Sequence, residues 1–242
     1  MPLIRRIPKR GFNNVRHATV YLPVNVEALN RFDDGAKVDE TALRAVGLDE
    51  WANTLPHGID NIIGSGTLTG RDVASTWTLG TVATYTDGTA TLTFSGFTDL
   101  QGGTDLDTFL ITAASTFNLS GGTELVGGDL FVVDAPLTGT IDGQGGQDTL
   151  RGSLIDDVLL TDPSTATGFL GIEADIDNGG GNSFAGIDTL IGNGGTLTGE
   201  DVISTWNLDG TPTYQDAAGI LGFSGFNNLV GGSAADTFNV TN

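Results

Sequence analysis

A repeated motif of two glycines followed by an aspartate is the part of this sequence best suited to binding chemistry. The order Gly-Gly-x-x-x-Asp-Thr occurs at residues 102–108 and 231–237, and a variant that lacks the second glycine occurs at 143–149. Carboxylates and turn carbonyls are the ligands that Ca²⁺ prefers, and a site needs about six to eight oxygens. The motif and the acids near it therefore predict calcium ligands at Asp105, Asp107, Asp148, Asp157 and Asp236.

The same motif has a second interpretation, in which it forms a turn and binds nothing. Each copy resembles a calcium-binding nonapeptide of the GGxGxDxUx type. Gln144 replaces the second glycine in one copy, and Asp105 and Ala234 replace the third glycine in the other two. In the alternative, glycine supplies a positive φ at a corner and the aspartate caps the turn. The sequence leaves both interpretations open, and calcium is the single cofactor that it predicts.

Catalysis is the next chemistry to weigh, because some β-helix proteins cleave polysaccharides. Past residue 57 the chain has no histidine and no lysine, so a lyase would depend on Arg71 or Arg151. A hydrolase would need two paired carboxylates. Arg71 corresponds to Glu200 in the second copy of the duplication described next, so the arginine is not common to both copies. We expect no enzyme, and keep a polysaccharide-active enzyme that uses Asp105 or Asp148 as an alternative.

A long internal duplication dominates most of the chain. Residues 67–112 and 196–241 align without a gap at an offset of 129, with 25 identities in 46 pairs, and one inserted glycine extends the match to 58–112 and 186–241. Short runs rich in Val, Thr, Ile, Leu and Phe alternate with glycine turns at a period of about 20 residues. This pattern predicts a mainly β protein with a parallel β-helix, or β-solenoid, over residues 58–242. A twisted antiparallel sandwich is the alternative.

The large apolar side chains of this region are expected to point into the solenoid. Trp77 and Trp206 occupy identical Ser-Thr-Trp contexts and are expected as buried anchors rather than sugar-stacking platforms. The other expected interior residues are Phe94, Phe97, Leu100, Phe109, Phe117, Leu119, Phe131, Phe223, Phe226, Leu229 and Phe238.

The amino-terminal part, residues 1–57, has a different composition. Residues 1–50 carry 8 basic and 7 acidic side chains, whereas residues 51–242 carry 2 basic and 23 acidic ones. Two short helices are predicted, from Asn25 to Phe32 and from Glu40 to Val46, which gives a small α/β-like segment. There is no cysteine, no apolar run long enough to cross a bilayer, and no signal-peptide pattern.

This amino-terminal segment resembles a known family. The residues that carry the resemblance are MPLIRRIPKRGF at 1–12, LNRFDDG at 29–35 and VDETAL at 38–43. They are similar to the middle of the bacterial large-subunit ribosomal protein fifteen family, which packs on ribosomal RNA. The resemblance implies RNA contacts for Arg5, Arg6, Lys9, Arg10 and Arg16. The family's basic amino-terminal extension and basic carboxyl-terminal half have no counterpart in this sequence.

The acidic segment resembles a different group of proteins. The phrases ASTWTL at 74–79, ISTWNL at 203–208, FSGFTDLQGG at 94–103 and FSGFNNLVGGSAADTF at 223–238 are similar to repeats of large bacterial filamentous-haemagglutinin and calcium-repeat adhesins. Two resemblances of such different kinds lead to the hypothesis of a chimera or an artificial sequence. A genomic locus that encodes both halves contiguously would contradict it.

The sequence therefore predicts a non-enzymatic structural or adhesin-like solenoid joined to a ribosomal-protein-like fragment. A ribosomal RNA-binding protein with an additional tail is the first alternative, and the polysaccharide-active enzyme is the second. Expected partners are a cell-surface or glycan ligand, ribosomal RNA, and a second copy through end-to-end association at the carboxyl-terminal coil, whose strand edges look uncovered. The solenoid indicates the cell surface, whereas the amino-terminal segment indicates the ribosome.

Overall fold

The computed structural model describes residues 60–123, 127–161 and 167–240. These residues all belong to one compact unit, Trp51–Asn242. The two predicted amino-terminal helices and the basic residues from Arg5 to Arg16 lie outside the described residues. Among the described residues there is no helix with the length and apolarity needed to span a membrane.

The described residues form short strands joined by turns, and they contain no helix. In chain order the strands are β1 (Asn61–Ile63), β2 (Thr67–Thr69), β3 (Ser75–Leu79), β4 (Ala83–Thr86), β5 (Thr91–Ser95), β6 (Asp99–Gln101), β7 (Asp107–Ile111), β8 (Ser115–Thr116), β9 (Asn118–Thr123), β10 (Leu130–Val133), β11 (Leu137–Thr138), β12 (Ile141–Gly145), β13 (Thr149–Arg151), β14 (Val158–Leu160), β15 (Phe169–Ile172), β16 (Ile176–Asp177), β17 (Phe184–Ile187), β18 (Thr189–Ile191), β19 (Thr196–Thr198), β20 (Ser204–Asn207), β21 (Thr213–Gln215), β22 (Ile220–Ser224), β23 (Asn228–Val230) and β24 (Asp236–Asn239).

The strands assemble into three sheets. The large sheet has the order β1-β5-β4-β3-β7-β10-β13-β18-β22-β21-β20-β24, the second sheet has the order β2-β6-β9-β12-β17-β15-β14-β19-β23, and the short sheet has the order β16-β11-β8. Apart from the hairpins described next, successive strands of the chain pass from one sheet to another, and each pairs with strands of neighbouring coils. The prediction of a mainly β solenoid is confirmed.

Three strands depart from the parallel arrangement. Among the described residues, every strand pairing is parallel except those made by β4, β15 and β21. The turn between β4 and β5 shows why the chain reverses there: the Asp87 carboxylate accepts hydrogen bonds from the N–H groups of Thr89 and Ala90 at 2.9 and 3.0 Å, and Gly88 has a φ of +83°. The Asp-Gly hairpin signal thus produces a local reversal inside a parallel solenoid rather than a sandwich.

The reversals explain the uneven lengths of the coils. Equivalent positions in plain neighbouring coils are 22 and 19 residues apart, from Asp107 to Asp129 and from Asp129 to Asp148. The spacing grows to 32 residues from Ser75 to Asp107, because the β3–β4–β5 hairpins lie between them. It grows to 40 residues from Asp148 to Asp188, where the chain makes the β15 reversal. The predicted period of about 20 residues describes the plain coils.

The two copies of the duplication have the same strand order. Within the large sheet the first copy contributes β1-β5-β4-β3-β7 and the second contributes β18-β22-β21-β20-β24. Asp60 and Asp188 make the same contact in each copy, because their carbonyls accept the N–H groups of Thr93 and Gly222 at 2.9 Å. The sequence duplication is therefore a duplication of structure, strand for strand.

The core is a column of apolar side chains between the sheets. Trp77, Phe109 and Phe131 occupy neighbouring positions on β3, β7 and β10, with ring centroids 5.7 and 5.0 Å apart and planes within 9° of parallel. Trp77 is 1% exposed and Trp206 is 0% exposed, which confirms both as buried anchors. Such stacked aromatic pairs contribute about 0.5–1.5 kcal/mol each beyond the area they bury.

One expected interior residue is exposed. Phe97, Phe117, Phe226 and Leu229 are half-buried against the core, and the other expected residues are buried except Phe238, which is 42% exposed. The reason is the position of β24 at the end of the large sheet, where within the described residues it has β20 as its one neighbouring strand.

Candidate functional site

Four aspartates lie directly above one another on the large sheet and form what we call the aspartate ladder: Asp107, Asp129, Asp148 and Asp188. The N–H of Asp107 donates to Oδ1 of Asp129 at 2.7 Å, and the N–H of Asp129 donates to Oδ1 of Asp148 at 2.6 Å. The N–H of Asp148 then donates to Oδ2 of Asp188 at 2.9 Å. The carboxylates of Asp129, Asp148 and Asp188 thus each satisfy a backbone donor of the neighbouring coil, and charge-assisted bonds of this kind are stronger than neutral ones.

The ladder explains why glycine precedes the aspartate in the motif. The Gly103 N–H donates to Oδ2 of Asp107 at 2.7 Å, and a Cβ atom at Gly102 would lie 2.6 Å from the same oxygen and 1.8 Å from the carbonyl oxygen of Gly121. A Cβ atom at Gly143 would lie 2.5 Å from Oδ2 of Asp148. The aspartate therefore occupies the space that any side chain at the glycine would need.

Three of the four ladder residues are buried, and a serine hydroxyl completes the Asp107 end. Asp107, Asp129 and Asp148 are at most 1% exposed. The Ser75 hydroxyl donates to Oδ1 of Asp107, and in the second copy the Ser204 hydroxyl donates to Oδ1 of Asp236 at 2.5 Å. Burial raises the pKa of Asp188, and the hydrogen bond from the Asp148 N–H opposes that rise.

The five aspartates predicted as calcium ligands fall into two groups. Asp107 and Asp148 belong to the buried ladder, and Asp236 is half-buried at the equivalent position of the last described coil. Asp105 and Asp157 are exposed on turns, and Oδ1 of Asp157 accepts the N–H of Thr196 at 2.8 Å. No three acidic or histidine side chains of the described ranges form a group that could hold a metal ion. The contacts of the ladder agree with the turn-capping interpretation, and calcium binding stays a prediction.

Sequence reasoning did not find two members of the ladder. Asp129 follows Gly121 by eight residues rather than five, because the segment that contains residues 124–126 is longer in this coil. Asp188 follows the β17 strand directly and has no glycine pair before it. The spacing of the motif was therefore an incomplete signal, whereas the strand register places all four residues on one line.

A second feature is a regular array of threonines on the outer side of the large sheet, which we call the threonine face. Its members flank the buried side chains Trp77, Tyr85 and Leu92 and therefore point outward. They are Thr76, Thr78, Thr84, Thr86, Thr91 and Thr93.

The register of β3, β4 and β5 arranges these threonines in two rows. Thr76 pairs with Thr86, which pairs with Thr91 on its other side. Thr78 likewise pairs with Thr84, which pairs with Thr93. Hydroxyls therefore recur about every 4.8 Å across the strands and about every 6.7 Å along them. The second copy carries threonine at two of the six equivalent positions, Thr205 and Thr213.

An ion pair lies beside the β4–β5 hairpin of the first copy. Nη1 of Arg71 donates to Oδ2 of Asp87, and the Arg71 N–H donates to the Tyr85 hydroxyl at 3.0 Å. Burial alone would raise the pKa of the Asp87 carboxyl, but hydrogen bonds from Thr89, Ala90 and Arg71 hold it well below its usual range. The pair fixes the hairpin against the coil before it.

The second copy replaces this arginine with an acid. Glu200 and Asp216 occupy the positions of Arg71 and Asp87, so this arginine–aspartate pair has no counterpart there. The Glu200 N–H still donates to the Tyr214 hydroxyl, at 3.2 Å. Burial and the nearby Glu200 charge raise the pKa of Tyr214 to about 12, against an opposing hydrogen bond from the Glu200 N–H.

A cleft of about 530 Å³ lies next to Glu200. Two acids, Glu200 and Asp201, line it together with the glycine pair Gly231 and Gly232. Asp201 is exposed, and the hydrogen bond from the Ser233 N–H to its Oδ1, 2.7 Å long, lowers its pKa. The polysaccharide-active alternative requires two carboxylates that flank the substrate, and Glu200 is 1% exposed whereas Asp201 is open to solvent.

Comparison with known proteins finds a ribosomal-protein-like segment. The chain is similar to the large ribosomal subunit protein uL15 of Oenococcus oeni, with 50% identity over 48 residues, 20% of this chain and 30% of the relative. It is similar to the uL15 proteins of Lachnoclostridium phytofermentans, with 46% identity over 69 residues, and Akkermansia muciniphila, with 47% over 70 residues, each covering 28% of this chain.

These matches cover a minority of either protein. The chain spans 44% of the Lachnoclostridium protein and 43% of the Akkermansia protein, so it covers less than half the length of the curated relatives it matches. No family model matches the chain. No solved structure matches it either. The chain therefore contains a uL15-like fragment, and the resemblance of the acidic segment to adhesin repeats stays a prediction.

Proposed function

We propose that the solenoid is a non-enzymatic, adhesin-like structural module whose threonine face binds a cell-surface glycan. The observation that supports this is the regular array of outward hydroxyls on three adjacent strands. A threonine hydroxyl can donate and accept a hydrogen bond, and its methyl group offers an apolar contact to a sugar ring. The Thr93 hydroxyl already donates to the Asp60 carbonyl at 2.8 Å, so it offers a ligand its acceptor. The face is held by buried aromatic side chains, so little conformational entropy is lost when a ligand binds.

Co-sedimentation of the full chain with insoluble polysaccharides tests this proposal. The probes are microcrystalline cellulose, chitin and purified bacterial cell-wall polysaccharide. We expect saturable binding to at least one of them, and a loss of at least tenfold in affinity for the variant Thr78→Asn, Thr86→Gln, Thr91→Ile, which introduces the residues of the second copy. The matched control is Thr116→Asn with Thr138→Asn, two exposed threonines of the short sheet. Equal binding by both variants would contradict the proposed face.

The same samples distinguish the enzyme alternative. Release of reducing ends or of unsaturated products from the polysaccharide would show turnover. In that case, replacement of Glu200 or Asp201 with the amide would stop the reaction if the cleft is the site, whereas replacement of Asp105 would stop it if the exposed turn is. We expect binding without release of product.

Calcium stabilisation of the solenoid remains part of the proposal. Asp105 and Asp157 are the exposed members of the predicted ligand set, so they are the residues that calcium would reach first. Thermal unfolding followed by circular dichroism, with millimolar calcium and with millimolar magnesium as control, measures the effect. Binding at 100 times the dissociation constant would add about 2.7 kcal/mol. A rise in melting temperature that Asp105→Asn and Asp157→Asn abolish is the expected result, and no rise contradicts calcium binding.

A second candidate function, contact with ribosomal RNA, is supported by the uL15 matches. In the amino-terminal segment, Arg5, Arg6, Lys9, Arg10 and Arg16 form a strip without an acid before Glu27. Side chains of this kind bind phosphates and release counterions. The acidic part of the chain works against such binding, because its charges repel a polyphosphate within a Debye length of about 8 Å.

An electrophoretic shift assay with a large-subunit ribosomal RNA fragment tests this second function. Affinity should fall with salt at about −0.9 logarithmic units per phosphate contact, the slope known for duplex DNA. Arg5→Glu with Arg6→Glu should reduce that slope, and Arg151→Glu, an exposed arginine of the solenoid, should leave it unchanged. The absence of a shift at low salt would remove this function.

A further inference from the structure

The carboxyl-terminal face of the solenoid differs from the equivalent face inside the chain. Phe238 on β24 is 42% exposed, whereas its counterpart Phe109 on β7 is 0% exposed. Val240 is 71% exposed, and its counterpart Ile111 is 0% exposed. Leu229 on β23 is half-buried, and its counterpart Leu100 is 1% exposed. The face formed by β23 and β24 is therefore apolar and largely uncovered within the described residues.

The first copy shows what kind of structure covers this face. There β10 pairs in parallel with β7, and the Phe131 ring stacks on Phe109 at 5.0 Å. Oδ1 of Asp129, the residue before β10, accepts the Asp107 N–H at 2.7 Å. The cover is a parallel strand that brings an aspartate to the ladder position and an apolar side chain two residues later.

The opposite face of the solenoid carries a strand of this kind. Asp60 directly precedes β1, and Ile62, two residues after Asp60, lies within β1. The strand β2 contains Leu68. Ile62 and Leu68 are half-buried, whereas their counterparts Leu190 and Leu197 in the second copy are 0% exposed. β1 has β5 as its one neighbour within the described residues, so its other edge is unpaired there.

Asp60 also has a counterpart that shows what its carboxylate can do. Asp188, the equivalent residue of the second copy, accepts the N–H of Asp148 from the coil beside it at 2.9 Å. Asp60 is exposed. Asp60 precedes the edge of β1 that has no neighbouring strand within the described ranges, and Asp188 precedes the equivalent edge of β18, which β13 covers.

We propose that a second copy of this chain stacks head to tail on the first, with β24 of one copy parallel to β1 of the next, and β23 parallel to β2. The register found twice inside the large sheet, between β7 and β10 and between β13 and β18, then places Asp60 beside Asp236 and Ile62 on Phe238. The register of the second sheet, between β6 and β9 and between β14 and β19, places Leu68 on Leu229. The large sheet then continues from one copy into the next, and Asp236 and Asp60 repeat at the junction the pairing that Asp148 and Asp188 make within the chain.

This junction is heterologous, because two different faces meet. A heterologous contact without rotational closure gives an open chain of subunits rather than a closed dimer. The formal charge of −20 on each copy opposes stacking, so added salt should favour assembly by screening. The inference is independent of the glycan and RNA functions proposed above.

Light scattering coupled to size exclusion tests the stacking on the full chain. Wild-type protein should show a mass that rises with concentration and with sodium chloride from about 0.05 to 0.5 M, over which the Debye length shortens about threefold. Phe238→Asp blocks one face and Ile62→Asp blocks the other, so each variant alone should be monomeric. The matched control is Ile220→Asp, which removes a 57% exposed apolar residue from the lateral surface and should assemble like wild type.

The decisive sample is an equimolar mixture of the two blocked variants. Head-to-tail stacking predicts a species of two chains that does not grow further, because one copy offers an intact β1 face and the other an intact β24 face. If Ile62→Asp loses its circular dichroism signal, Asp60→Trp replaces it, since Asp60 is exposed and a side chain of that size would not fit beside Asp236 at the junction. A wild type that is monomeric at all salt concentrations, a mixture that stays monomeric, or a single blocked variant that still associates would each overturn the proposal.

Discussion

The aspartate ladder makes a quantitative prediction for Asp148→Ala. The substitution removes the acceptor of the Asp129 N–H, a contact of 2.6 Å at a site that is 0% exposed. A hydrogen bond to a charged group contributes about 1.5–3 kcal/mol, and a buried donor left without a partner costs about 1–3 kcal/mol, an overlapping quantity rather than an additional one. We therefore expect a loss of about 2–3 kcal/mol in the free energy of unfolding.

Urea denaturation in the presence of EDTA measures this loss without any contribution from bound metal. The matched control is Asp105→Ala, because Asp105 belongs to the same motif but is exposed on a turn, and its loss should stay within about 0.5 kcal/mol. Asp148→Asn keeps one oxygen acceptor and should fall between the two. Circular dichroism reports on all coils, and tryptophan fluorescence reports on the surroundings of the buried Trp77 and Trp206.

Equal and small losses for Asp148→Ala and Asp105→Ala would refute the assignment of Asp148 as a structural acceptor. A large loss for Asp105→Ala in EDTA would refute it as well, since it would give the exposed residue the role assigned to the buried one. A loss at Asp148 that appears only when calcium is present would return this aspartate to the metal interpretation. The three outcomes therefore separate the two interpretations that the sequence left open.

Further predictions concern burial, sterics and charge. Burial raises the pKa of Glu173 from 4.5 to about 7, and the hydrogen bond from the Asp175 N–H opposes that rise. The ionised Glu173 side chain therefore destabilises the protein fully above about pH 7 and not at all below about pH 4.5. Urea titrations should show that Glu173→Gln stabilises the protein by up to about 3 kcal/mol at pH 8 and by little at pH 4. Gly121→Ala would place Cβ 2.1 Å from the carboxylate of Asp129. At Gly88 the φ is +83° but no atom lies near, so Gly88→Ala should lower the stability by about 1 kcal/mol through backbone strain. Thermal melts should show a loss of stability several times larger for Gly121→Ala. Arg71→Met should cost about 1–3 kcal/mol in low-salt denaturation, because it leaves the Asp87 side chain, 1% exposed, without its ion pair.

Much of the fold could be predicted from the sequence because the duplication and the glycine corners are local signals. The direction of individual strands could not. β4, β15 and β21 are short, and their antiparallel pairing depends on which neighbour offers a free edge, a property of the assembled sheet. An Asp-Gly dipeptide such as Asp87-Gly88 favours a hairpin, but it does not show that the chain resumes parallel stacking afterwards.

The candidate sites show the same division. The glycine–aspartate motif identified Asp107 and Asp148, yet their burial and their partners follow from register between coils that lie 19 to 40 residues apart. Asp129 and Asp188 belong to the ladder because of their strand register, and neither lies in a copy of the motif. The threonine face could not be predicted from the sequence for a related reason. Threonines on three successive strands form one surface only because the hairpins align them in rows.

The aspartate ladder has a polarity that bears on how the molecule comes apart. The backbone N–H of Asp107, Asp129 and Asp148 each donates to the carboxylate of the next aspartate along the ladder, which ends at Asp188. Unfolding of a coil from the carboxyl-terminal side therefore removes the carboxylate that accepts the N–H of the preceding coil. Unfolding from the other side leaves the remaining N–H groups with their carboxylate acceptors. Amide hydrogen exchange should accordingly be graded along this line, and unzipping should proceed more readily in one direction than in the other.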